Sequence, residues 1–120
     1  MAKVNYVVQS GIKMDALTVI EDNFEAKNNS FLYYLREKSL FSKEALRQLC
    51  ESVHAVAEQE VNIAAVALKL HTIHIQTLEA FLYHFNPEDP YKITNMPENY
   101  NKMLFQLEKC IDFYFKTRLQ

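Results

Sequence analysis

Residues 42–85 read SKEALRQLCESVHAVAEQEVNIAAVALKLHTIHIQTLEAFLYHF, and the fold turns on whether they form one helix. The stretch holds neither Gly nor Pro, and nearly every residue in it is a fair helix former. Leu46, Leu49, Val53, Val56, Ile63, Ala67, Leu70 and Phe81 recur at helical spacing. A second stripe runs beside them: Cys50, Ala57, Val61, Ala64, Leu68, Ile75, Leu78, Leu82 and Phe85. Two adjacent stripes make a wide apolar face rather than a narrow coiled-coil seam. Ser42 is placed to cap the start, with Glu44 in the first turn, and Asn86-Pro87 marks the end. The pattern predicts one uninterrupted helix over about 43–85, roughly 65 Å long.

From Val61 to Ile75 apolar residues go nearly all the way round this helix, which requires cover on every side. Two shorter flanking helices would each cover only half of the long one. The expectation is therefore an all-α antiparallel bundle, a single domain over 1–120, completed by homodimerisation. The expected subunit contact comprises Val61, Ile63, Ala64, Val66, Ala67, Leu70, Ile73 and His74, about a two-fold axis near Asn62 and Ile63. The rival architecture breaks the helix near Glu60 to Asn62 and folds back as a monomeric four-helix bundle.

Upstream, Leu17, Ile20, Phe24, Phe31 and Leu35 predict a helix over about 13–39. Asn28, Asn29 and Ser30 interrupt it, so the alternative is a break with Asn29 or Ser30 as a new cap. Leu40 and Phe41 link it to the long helix. Met1 to Gly11, with Val4, Tyr6, Val7 and Val8, reads as an extended arm without an evident strand partner. Downstream, all three prolines fall within Asn86 to Pro97, the one clear loop. Asn95 and Glu98 have capping-box spacing before a last helix over about 97–117. Phe31, Tyr33 and Tyr34, with Tyr91 and Ile93 of the loop, are the candidate partner surface, because aromatic side chains are enriched at contacts.

Composition narrows the function classes. Hydrophobic residues make up 49% and charged residues 23%, as in globular chains, and the formal net charge is -2. The basic residues are scattered among acidic ones, which argues against nucleic acid and against a DNA-reading helix-turn-helix at Phe31–Leu49. No signal segment and no apolar run of spanning length stands out, so the expected setting is cytoplasmic, without membrane contact. Cys50 and Cys110 read as buried free thiols of a reducing compartment.

Glu51, His54 and Glu58 share one helix side, and Glu-x-x-His is the ligand spacing of di-metal carboxylate bundles. Only one copy is present; His71 and His74 lie about 25 Å away along a continuous helix, reachable only from a second antiparallel copy. Arg47 and His54 form an Arg-x6-His pair that resembles the motif of HEPN-type nucleases, which are small helical dimers. The resemblance covers those two residues, with Gln48 after the arginine, and implies that they would be the RNA-cleaving pair. There is no phosphate loop, nucleophile elbow or Cys-His pair. The sequence therefore points to a non-enzymatic adaptor, regulator or inhibitor-type homodimer that binds another protein and needs no cofactor. A metal-binding bundle or a HEPN-like nuclease using His54 is the alternative.

Overall fold

Asp15 begins the helical body: its carboxylate accepts from the Leu17 backbone N–H at 3.0 Å and caps α1, Ala16–Glu25. The computed structural model describes residues 5–7 and 13–119. Ahead of α1, β1 (Asn5–Val7) pairs antiparallel with β2 (Lys13–Asp15), Tyr6 opposite Met14. The stretch read as an arm thus finds its strand partner in residues first assigned to helix; the rest of the arm lies outside the described residues.

The helix expected over 13–39 is broken. Ala26 turns into the left-handed region (φ 53°), and Lys27 N–H reaches back to Asp22 C=O at 2.9 Å, closing a Schellman-type end. Asn28 and Asn29 also have positive φ, a conformation asparagine tolerates better than most residues. Ser30 restarts the chain: its hydroxyl oxygen accepts from Tyr33 N–H and caps α2, Phe31–Tyr33. α2 widens into a π-helical turn, Tyr34–Lys38, which ends at Ser39 in the left-handed region. Asn23, buried, holds the corner: its amide donates to Val19 C=O, and its side-chain oxygen accepts from Leu32 N–H at 3.1 Å.

The uninterrupted helix over 43–85 does not form either. Ser42 caps α3, Lys43–Val56, as expected, by accepting from Ala45 N–H. The chain then turns through Ala57 to Asn62, and α4 runs over Ile63–Phe85. Asn62 does what a glycine would have done, with φ 46° and ψ 51°. Folding back brings α3 and α4 to a common pair of neighbours: α1 packs on both of them, and so does α5, Tyr100–Arg118. This geometry shelters one side of the apolar midsection from within, at Val66, Leu70 and Ile73. Each flanking helix covers parts of both halves, whereas a continuous rod would have left each half a single cover. Tyr114 and Arg118 of α5 seal the turn, the phenol donating to Ile63 C=O at 3.5 Å and the guanidinium pairing with Glu60 at 3.2 Å.

One apolar cluster draws on every helix, with Ile20, Leu32, Leu49, Val53, Leu70, Ile73, Leu107 and Tyr114 fully buried. The proline loop is pinned to it. Ile93 is buried, and its N–H donates to Nδ1 of His84 at 2.8 Å. Asn95 does not cap α5: its side chain accepts from Phe41 N–H at 2.7 Å and donates to Phe41 C=O, while Thr94 N–H donates to Ser39 C=O. The last helix accordingly begins at Tyr100, three residues later than expected.

Candidate functional site

Residues two apart on a helix point about 200° away from each other, so the apolar stripes of α4, expected side by side as one wide face, turn to opposite sides. One side carries Val66, Leu70, Ile73, Thr77, Ala80 and Phe81, all buried in the core. Thr77 fits there because its hydroxyl donates to Ile73 C=O at 2.8 Å. The other side carries Ala64, Leu68, His71, Ile75, Leu78, Leu82 and Phe85. Their spacing alternates four and three residues throughout, the a/d repeat of a coiled-coil seam. Leu68 is 63% exposed, Ile75 40%, Leu82 69% and Phe85 52%. Large apolar side chains at that exposure, in one straight row along 23 residues, form a patch rather than scattered singles.

Of the residues expected at a subunit contact, Val66, Leu70 and Ile73 are therefore spent inside the chain's own core. Val61, Ile63, Ala67 and His74 are half-buried, and Ala64 alone of the set is fully exposed. Of the expected partner surface, Phe31 and Ile93 are buried. Tyr91 lies half-buried with its hydroxyl donating to Leu35 C=O at 2.6 Å, and Tyr33 and Tyr34 pack edge to face at 5.6 Å. The aromatic block mainly ties α2 and the loop to the body.

A second concave feature, a groove of about 890 Å³, opens between α3 and α5. Lys43, Arg47, Cys50 and His54 line it from α3, and Met103, Lys109, Cys110 and Phe113 from α5. Arg47 is held by two carboxylates of its own helix, Glu44 and Glu51, the latter at 2.7 Å. His54 stacks at 4.9 Å on Phe113. Arg47 and His54 do share this wall, as their spacing requires, but Glu44 and Glu51 occupy the guanidinium.

The break at Ala57–Asn62 removes the geometry on which a shared His54–His71 pocket depended, because α3 and α4 no longer form one axis. His71 stands exposed on the outer seam, and His74 approaches Glu108 of α5 at 3.8 Å. Among the described residues no group of three or more His, Cys, Asp and Glu side chains is placed to hold a metal ion. No helix among them is long and apolar enough to cross a membrane.

The two thiols are the feature that sequence reading missed. Cys110 is buried and Cys50 half-buried, sixty positions apart, yet both line the groove. The Cys110 side chain beside it lowers the Cys50 thiol's pKa, against burial and the charge of Glu51; Cys50, with burial, pushes Cys110 far upward. Both residues sat on apolar stripes, but only the packing of α3 on α5 makes them neighbours.

Compared with models of protein families, with curated proteins and with solved structures, the chain shows no match.

Proposed function

We propose that the protein is a non-enzymatic, helical interaction protein of the adaptor or inhibitor type, working in the cytoplasm as a homodimer joined along the outer seam of α4. The observation that supports this is the unbroken four-three alternation of Ala64, Leu68, His71, Ile75, Leu78, Leu82 and Phe85 on a solvent-facing side. A row of knobs with that repeat fits the holes of another helix carrying the same repeat, and a second α4 offers one of matching length. Antiparallel pairing sets Leu68 across from Phe85, Ile75 across from Leu78 and His71 across from Leu82 of the second copy. The two-fold axis then passes near Gln76 and Thr77. His71 acts as the single polar member that fixes register at some cost in affinity. With α4 joined to its copy, the exposed parts of Tyr33, Tyr34 and Tyr91 remain free to meet a different protein.

Sedimentation equilibrium over a concentration series tests the dimer. The expected mass is twice 14.1 kDa, with dissociation only below about micromolar, the range of a modest helical interface. A single particle of 14.1 kDa at every concentration up to about 100 μM would overturn the reading, since that bounds association to weaker than about 5 kcal/mol.

A further inference from the structure

The groove between α3 and α5 contains chemistry that an interaction seam on α4 does not use. Cys50 and Cys110 both line the groove, Cys50 half-buried and Cys110 2% exposed. They stand on two packed helices, one on each wall. We propose that Cys50 and Cys110 form a reversible intrachain disulfide, made when Cys50 is oxidised by a hydroperoxide entering the groove and Cys110 resolves it.

The division of labour follows from their burial. The Cys110 thiol donates to Leu107 C=O at 3.1 Å and stays protonated in its buried position, while Cys50, half-buried on the groove wall, is the readier of the two to ionise. Among the described residues, Glu51 is the one charged side chain that acts on the Cys50 thiol, and it opposes the thiolate. In the first step the Cys50 thiolate attacks one peroxide oxygen, the O–O bond breaks, and hydroxide or alkoxide leaves. Cys50 is then a sulfenic acid. In the second step the Cys110 sulfur, losing its proton to the departing hydroxide, attacks the Cys50 sulfur; the S–S bond forms and water leaves. Two thiols have lost two electrons, and hydrogen peroxide has become two waters. A small dithiol returns the pair to the reduced state by exchange. Both side chains line one groove between packed helices, so closure requires a local approach of α3 and α5 rather than any refolding.

Closure joins helices that flank the α3–α4 turn and the whole proline loop, a ring of about sixty residues. A crosslink of that span raises Tm by roughly 15–20 °C under the chain-entropy account. Activity of the α4 seam is untouched, so this proposal stands or falls apart from the dimer.

The test uses the full chain treated with hydrogen peroxide, denatured, alkylated and digested without reductant. A peptide pair linking Cys50 to Cys110 is expected, with both alkylation sites lost together and regained after dithiothreitol. Oxidation of Met103, which lines the same groove, adds oxygen without consuming a thiol and is told apart by mass. In Cys110→Ser, peroxide should leave a sulfenic acid on Cys50 that dimedone traps; Cys50→Ser should give no trapped product at residue 110. Native wild-type protein should react with iodoacetamide at Cys50 and leave Cys110 unlabelled. The proposal fails if the thiols are lost independently, if Cys110 labels first, or if the only disulfide links Cys50 residues of two molecules.

Discussion

Replacing Leu82 by Ala separates the outer stripe of α4 from the inner one. The change removes three side-chain carbons, worth about 2.4 kcal/mol if fully buried at about 0.8 kcal/mol each. Because Leu82 is 69% exposed in the single chain, about 1.7 kcal/mol of that is realised only on association. A two-fold dimer contains the position twice, so the loss is about 3.3 kcal/mol, a weakening of roughly 200-fold. Folding of the single chain should change by less than about 1 kcal/mol, the share of the side chain it already buries. Leu70→Ala is the contrast, since Leu70 is 0% exposed and belongs to the core. It should cost about 2–5 kcal/mol of folding free energy and lower Tm by about 10 °C or more. Sedimentation reads the first variant, and thermal melts at low protein concentration read the second. Equal dimer affinity in Leu82→Ala and wild type would refute the seam, as would a Leu70→Ala protein that dissociates while melting normally.

Three further outcomes follow from single residues. Ala26 ends α1 at φ 53°, where a Cβ is unfavourable, so Ala26→Gly should stabilise by about 0.5–1 kcal/mol and raise Tm by a few degrees in calorimetry. Asn95→Ala deletes both hydrogen bonds to the Phe41 backbone and should cost about 2 kcal/mol in urea titration. Burial holds the Asp22 carboxyl above its ordinary value, only partly offset by Asn28 and Lys27. The folded state therefore favours the protonated form: this group's stabilising share is present below the unfolded pKa of 3.8 and is lost as pH rises through the raised folded value. Asp22→Asn should accordingly gain stability at pH 7 relative to wild type, and the gain should vanish in melts below about pH 4.

Much of the helical content was legible, because Ser42, the Asn86-Pro87 stop and the proline loop are local signals. Ser30 was legible as an alternative cap for the same reason. The turn at Ala57–Asn62 was legible only as the rival break near Glu60 to Asn62, since it contains no Gly or Pro and each of its residues is tolerated in a helix. What decides it is non-local: only a fold-back lets α1 and α5 both cover Val66, Leu70 and Ile73. The outer stripe of α4 could be read from periodicity, but the inner one is built on Val66, Ile73 and Ala80 rather than the expected Ile63 and Ala67, because which side faces the core depends on neighbours that periodicity does not contain. Asn95 illustrates the same limit, because its spacing to Glu98 suits a cap while its amide is taken by Phe41, 54 residues earlier. Cys50 and Cys110 share an edge only after two helices have found their relative rotation.

The paired hydrogen bonds between Asn95 and Phe41, with Thr94 to Ser39 beside them, act as a clasp between two connections far apart along the chain. Neither connection can open by itself without breaking the other's anchor. Slow amide hydrogen exchange at Phe41 and Thr94 is then a property of irregular backbone, and protection there would track helix unravelling rather than loop breathing. These two joints behave as one cooperative unit.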